Sequence, residues 1–163
     1  MDKPWETLET ALMETLRAGE DLRDLLRWKK EAIVKLERED LERIFPKEDV
    51  LVGRMRRAED GLARAIAGAA RVAGLPAKGA RVADLLPAAP EDRRKTLTAL
   101  REDLLGLGRE IAHLNQLNAS LVRHFLGHVN SFLKTLTGGG EAGVYAMGRK
   151  SAAGAAKLLD RTA

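Results

Sequence analysis

The sequence predicts an all-α fold: an antiparallel, coiled-coil-like bundle of three long helices followed by a flexible C-terminal tail. Alanine, leucine, arginine and glutamate dominate the 163 residues, and aromatic residues make up only 4%, a composition that favours helices over sheets. Apolar residues also recur three and four positions apart over long stretches, which is the period of a packed helix face. At this length we expect one helical domain, residues 1–137, and a tail, residues 138–163.

The first two helices are predicted at about residues 4–36 and 40–73. Pro4 suits a first helical turn, Asp40 can cap the second helix, and Pro46 must kink that helix or restart it after a short turn. The expected apolar face of the first helix comprises Trp5, Leu8, Leu12, Leu16, Leu22, Leu26, Ile33 and Leu36. That of the second comprises Leu41, Ile44, Leu51, Met55, Leu62, Ile66, Ala69 and Val72.

Residues 74–90 form a connection, because three prolines and two glycines oppose a continued helix. A single turn around Val82 to Leu86 can cover one end of the bundle. Glycines within the predicted helices, among them Gly19 and Gly106, either bend the helices or allow them to approach closely, and each costs about 1 kcal/mol relative to alanine.

The third helix is predicted from about residue 91 to 137, a length of about 70 Å. Glu91 and Asp92 suit its first turn, and three consecutive glycines from Gly138 end it. Its apolar stripe, which we expect to pack against partner helices, consists of Leu97, Leu100, Leu104, Leu107, Ile111, Leu114, Asn118, Leu121, Phe125, His128 and Phe132.

Composition excludes several classes of protein. The chain has no cysteine and so no disulfide framework or thiolate zinc site. No stretch approaches the ~20 apolar residues of a membrane span, and no cleaved signal precedes the domain, so we expect a cytoplasmic protein. The net charge of +4 is spread as −3 in residues 1–45, +5 in residues 46–137 and +2 in residues 138–163. Since no segment is a dense basic stripe, we expect no binding of nucleic acid.

Candidate catalytic and metal-binding patterns are weak. Glu110 and His113 form the E-x-x-H spacing of carboxylate-bridged di-iron bundles, but a second copy is missing. His124 and His128, four residues apart, are able to share a metal ion, although a hydrogen-bonded structural histidine is commoner at the seam position of His128. We therefore expect no enzyme, no catalytic residues, no metal site and no cofactor.

The run from Asn115 to Leu121 has an N-x-x-N-x-x-L pattern that coiled-coil packing does not require. A buried Asn118 can simply fix the register of a helix, and that reading stays open. Together with three helices and a later Val-Tyr-Ala-Met-Gly stretch, residues 144–148, the pattern resembles the FlgN family of flagellar type III export chaperones. Residues 30–33 and 40–42 agree more loosely with the helix-turn region of that family.

The resemblance implies a cytosolic chaperone that binds the C-terminal helical segments of hook–filament junction proteins and escorts them to the gate and ATPase components of the export apparatus. Apolar contact through the end of the third helix and the tail is the expected binding mode. A generic helical adaptor or homodimerising coiled coil is the alternative. The candidate partner-binding residues are Asn115, Asn118, Leu121, Phe125, Val129, Phe132, Leu136, Val144, Tyr145, Met147, Leu158 and Leu159.

Overall fold

The computed structural model describes residues 2–137 and shows three long α-helices and one short one. α1 spans Lys3–Lys35, α2 spans Arg38–Val72, α3 spans Val82–Leu85 and α4 spans Glu91–Thr137. A 3₁₀ turn, Leu86–Ala88, follows α3. The described residues form no strand, which confirms the all-α class. The expected single turn in the connection is a fourth α-helix, which the three-helix prediction did not count.

The turn between α1 and α2 is tight. Leu36 adopts the left-handed conformation with φ of 56°, and its N–H and that of Glu37 bond to the carbonyls of Ile33 and Ala32. This C-cap turns Leu36 outward, so that 60% of its surface is exposed and the predicted place of Leu36 on the apolar face of α1 is wrong. α2 runs through Pro46 as one continuous helix, so it does not restart there.

Ion pairs and one buried hydrogen bond define how the long helices run. Lys29 Nζ lies 2.6 Å from Glu48 Oε2, an ion pair that fits α1 and α2 running antiparallel. Arg93 pairs with Glu9 near the start of α4, and Asn118 bonds to Leu26 further along, so α4 runs parallel to α1. The bundle is therefore up-down-up, with α1 packed against both of the other long helices.

Near the connection, buried residues of all three long helices meet in one hydrophobic cluster. There, Leu8 and Leu12 of α1 contact Leu62 of α2 and Leu97 of α4, and the fully buried Leu85 of α3 closes the end of the bundle. At mid-length, buried residues of α1 and α4 form a second cluster, against which the half-buried Leu51 and Val52 of α2 pack. Towards the α1–α2 turn, a third cluster joins α1 and α2. The bundle is consequently closed at one end and more open at the other.

Within residues 2–137, no helix has the length and hydropathy needed to cross a membrane.

Candidate protein-binding surface

The apolar stripe of α4 is covered by α1 over its first half. Leu107, Ile111 and Leu114 are buried against Leu22 and Leu26 of α1, as the 3–4 periodicity predicts. These contacts remove most of the leucine and isoleucine surface from water and stabilise the pairing by roughly 1.5–3 kcal/mol per buried side chain. The packed-helix prediction is confirmed for this half.

Asn118 is the last buried residue of α4. Its Nδ2 donates to the main-chain carbonyl of Leu26 at 3.1 Å, and only 4% of its surface is exposed. Its Oδ1 is also buried and has no hydrogen-bond partner among residues 2–137. Asn118 thus aligns α4 with one point on α1, and it lies where the covered half of the stripe ends.

Beyond Asn118 the same stripe is exposed. Phe125, Phe132 and Leu136 expose 44%, 63% and 66% of their surfaces, and the next polar member of the stripe, His128, is exposed as well. The predicted packing of Phe125, His128 and Phe132 within the bundle is therefore wrong. Large apolar side chains held on an ordered helix without a covering neighbour are characteristic of interaction surfaces.

The lengths of the helices explain the exposure of the last ten residues of α4. α1 continues for nine residues after Leu26, whereas α4 continues for nineteen after Asn118. At 1.5 Å per residue, α4 extends about 15 Å beyond the end of its parallel neighbour. The stripe therefore runs on past the helix that covers it.

The exposed part of α4 is amphipathic over its whole length. At 100° per residue, all the large apolar residues from 121 to 137 lie within an arc of about 140°, and the polar residues and Gly127 occupy the remainder. A coiled-coil seam needs a narrower arc. We call this surface the uncovered face of α4, and it consists of Leu121, Val122, Phe125, Leu126, Val129, Phe132, Leu133 and Leu136.

The structure brings part of the predicted partner-binding set together. Leu121, Phe125, Val129, Phe132 and Leu136 share the uncovered face, with Leu121 half-buried and the other four exposed. Asn115 is half-buried on the covered half, and Asn118 faces Leu26 inside the bundle. The remaining predicted residues lie outside the described part of the chain: Val144, Tyr145, Met147, Leu158 and Leu159.

Sequence reasoning missed three members of the uncovered face: Val122, Leu126 and Leu133. A strict three-and-four spacing selects a single seam, and these residues lie to one side of it. The signal that identifies them is the width of the apolar arc. Eight of the seventeen residues from 121 to 137 are large and apolar and lie on one side of the helix, which is more than a single packed seam needs.

Two of the three histidines meet on the exposed part of α4. The Nε2 atoms of His124 and His128 lie 3.0 Å apart, so one imidazole donates a hydrogen bond to the other. The third histidine, His113, is exposed, and its E-x-x-H partner Glu110 pairs with Arg27 of α1. Among residues 2–137, no three histidine or acidic side chains cluster as metal ligands would.

A second apolar surface lies in a cleft of about 600 Å³ between α1 and α2. Leu25, Trp28 and Pro46 contribute to its lining. The Trp28 indole N–H donates to Asp40 Oδ2 at 2.9 Å, and Lys47 Nζ lies 5.0 Å from the centroid of the indole ring. These contacts fix the ring, and sequence patterns alone gave no sign of the cleft.

Comparison with protein families identifies one match that spans most of the chain. Residues 4–152 match the model of the FlgN protein family. Comparisons with curated proteins and with solved structures give no match.

Proposed function

The chain belongs to the FlgN family of flagellar export chaperones, and from this premise we propose that it binds hook–filament junction proteins, prevents their premature self-association and delivers them to the type III export apparatus. The observation that supports the binding step is the uncovered face of α4, which presents exposed aromatic and aliphatic side chains on an ordered helix. A chaperone for aggregation-prone helices needs such a surface.

We propose that the partner segment is itself an amphipathic helix, taken from the C-terminal region of a junction protein. Helix-in-groove recognition uses anchors spaced three, four and seven residues apart. Phe125, Val129 and Phe132 have this spacing. The face from residue 121 to 137 is about 25 Å long and therefore matches a partner helix of about seventeen residues.

The same geometry explains how binding would block self-association of the partner. α1 covers α4 only as far as Asn118, so a partner helix takes the place that a longer α1 would have occupied. Each buried phenylalanine contributes roughly 1.5–3 kcal/mol, and the partner's own apolar stripe is removed from water at the same time. Self-association of the junction protein through that stripe is then blocked.

Residues 138–163 are proposed to add anchors to this surface and to contact the export gate or its ATPase. The apolar candidates are Val144, Tyr145, Met147, Leu158 and Leu159. If binding fixes about 20 of these residues in one conformation at ~1–2 kcal/mol each, it consumes much of the gross binding energy, which would keep the complex weak enough to release its cargo. Tyr145 offers a broad amphipathic ring at small entropic cost, for either partner.

Size-exclusion chromatography with light scattering tests the proposal directly. The full chain is mixed with the hook–filament junction proteins of its own source, and the mass of each peak gives the stoichiometry. We expect a defined complex with the native chain that persists at high salt, because apolar contacts dominate it. Phe125→Ser combined with Phe132→Ser should weaken the complex about a hundredfold or more, since two buried rings are lost.

A matched control separates loss of the surface from loss of the fold. Phe45 and Val72 of α2 expose 52% and 47% of their surfaces, close to the values for the two phenylalanines. Phe45→Ser combined with Val72→Ser removes similar apolar surface elsewhere and should leave the affinity unchanged. Equal affinity for both double variants would refute a role for the uncovered face.

A truncation after Thr137 in the same titration tests the tail. Loss of affinity on truncation supports the added anchors, whereas an unchanged affinity would remove residues 138–163 from the binding surface. The light-scattering mass of the chain alone decides the alternative, a homodimerising adaptor without an export role. If the chain pairs with itself through α4 and forms no complex with any junction protein, the adaptor replaces the chaperone.

A further inference from the structure

The net charge of the chain is confined to its last third. Residues 1–110 contain 22 basic and 22 acidic residues, so this part of the chain is neutral. Residues 111–163 contain six basic and two acidic residues, which accounts for the whole net charge of +4. The division falls within α4, about ten residues before the uncovered face begins.

Within the neutral part, several basic residues have acidic partners on neighbouring helices. Arg93 Nη1 lies 2.9 Å from Glu9, Lys29 pairs with Glu48, and Arg27 pairs with Glu110. Glu110 is the last acidic residue of α4. The pairing of opposite charges across the bundle therefore ends shortly before the stripe becomes exposed.

The rest of α4 has basic residues without acidic neighbours. From Ile111 to Thr137 there is no aspartate or glutamate, and the ion pairs of residues 2–137 do not include Arg123 or Lys134. Both side chains are exposed, and Arg123 lies on the polar arc about 60° beyond one edge of the apolar arc. His124 lies at a similar angle beyond the other edge. Basic side chains thus lie along one edge of the uncovered face.

We infer that the partner of the uncovered face is an acidic amphipathic helix, with aspartate or glutamate beside its apolar stripe. This inference rests on the proposed function and adds the chemistry of the partner to it. A partner flanked by lysine or arginine would be repelled by Arg123 and Lys134, with no carboxylate on this half of α4 to receive it. An acidic partner can form ion pairs with α4 of the same kind as those that join α1 to α4.

The charges act mainly on the rate at which a partner associates and on the choice between acidic and basic partners. Exposed charges are screened over about 10 Å at 0.1 M salt, and complementary potentials raise association rates more than they lower dissociation rates. An apolar complex that persists at high salt is compatible with charge-dependent selection at low salt. The two contributions are separable because the apolar and basic side chains are different residues.

Two synthetic helical peptides of about 20 residues provide the probe. Both carry the same leucine and phenylalanine stripe, flanked in one by glutamate and in the other by lysine, and binding to the full chain is followed by fluorescence anisotropy. At low salt the acidic peptide should bind about tenfold or more tightly than the basic one, and the ratio should shrink as salt rises. Arg123→Glu combined with Lys134→Glu should abolish or reverse the preference.

The control for the charge reversal is Arg64→Glu combined with Lys78→Glu. Both positions are exposed, they lie on α2 and in the connection, and the control chain has the same net charge as the test variant. It should keep the preference for the acidic peptide. Equal binding of the two peptides by the native chain, or equal loss of preference in both variants, would overturn the inference.

Anionic vesicles distinguish a lipid surface from a protein helix. If phosphatidylglycerol vesicles bind through Arg123 and Lys134 while the acidic peptide shows no advantage, the basic residues serve a membrane and the inference is wrong. If a junction protein binds the native chain and the Arg123→Glu, Lys134→Glu variant with equal affinity, the inference about an acidic partner is wrong but the proposed function stands. Insensitivity of that complex to Phe125→Ser with Phe132→Ser would instead refute the proposed function.

Discussion

Gly19 lets α1 and α4 approach each other closely. A Cβ atom at this position would lie 2.7 Å from Cδ2 of the buried Leu107, whereas a Cβ at Gly106 would meet nothing within 4 Å. Of the two roles expected for helix glycines, close approach thus applies at Gly19. The distinction depends on the rotation of α1 against α4, which the sequence of either helix alone does not specify.

The two glycines give a matched pair of substitutions. Alanine at either site gains about 1 kcal/mol of helix propensity, but at Gly19 it forces Leu107 to move within the core, at a cost of about 1–3 kcal/mol. Urea unfolding should therefore place Gly19→Ala about 1–3 kcal/mol below Gly106→Ala in stability. Equal stabilisation by both changes would show that α1 and α4 pack less closely than described.

Glu59 of α2 gives the fold a pH dependence. Burial raises the pKa of its carboxyl above the ordinary 4.5, Asp60 raises it further, and Arg56 opposes both. The folded state then binds the proton more tightly than the unfolded state does, so stability is greatest below the ordinary carboxyl pKa and falls as pH rises through the raised one. Glu59→Gln removes this loss.

The expected result is a modest rise in the free energy of unfolding for Glu59→Gln near pH 7, which disappears in acid. Urea midpoints measured from acidic to neutral pH check this, with Glu102→Gln, an exposed carboxyl of α4, as the control. A Glu59→Gln variant that is less stable than the native chain at neutral pH would contradict the assignment of burial as the dominant cause.

Asn118 shows how far single residues can be interpreted from sequence. Its seam position and its capacity to fix register follow from the stripe. Its acceptor, the Leu26 carbonyl, and its unpaired Oδ1 do not, because both depend on how far α4 is shifted along α1. The motif that suggested a partner contact therefore places one of its asparagines inside the bundle.

At the scale of elements, helix positions were predictable and helix partnerships were not. The start of α4 at Glu91 agrees with the acidic first turn. α2 passes through Pro46, since packing of Ile44 and neighbouring side chains against α1 outweighs one missing hydrogen bond. Periodicity identifies an apolar face without revealing whether a neighbour is long enough to cover it.

The two halves of α4 accordingly have different roles. The half up to Asn118 stabilises the bundle, while the half beyond it exposes most of the same stripe to solvent. Helical ends with few buried contacts open easily, so the second half should gain order when a partner covers it. A chaperone surface of this kind can accept and release a helix without unfolding the bundle.

At the scale of the whole molecule, the closed end of the bundle stabilises the fold, and the open end carries the proposed binding surface. The connection with α3 seals the three-helix core around Leu85, and the long ion-paired helices hold α4 in place. The open end projects α4 beyond α1 and α2, and this part of α4 carries Arg123 and Lys134. The bundle is the support, and the projecting helix is the proposed site of capture.

Hydrogen–deuterium exchange on the free chain and on its complex with a hook–filament junction protein tests this account most directly. In the free chain, amides from 97 to 118 should exchange slowly and those from 121 to 137 quickly, because only the former are covered by α1. Binding should slow exchange from 121 to 137 and leave the covered half unchanged. A complex whose protection falls on α1 and α2, with 121–137 still exchanging quickly, would contradict the account.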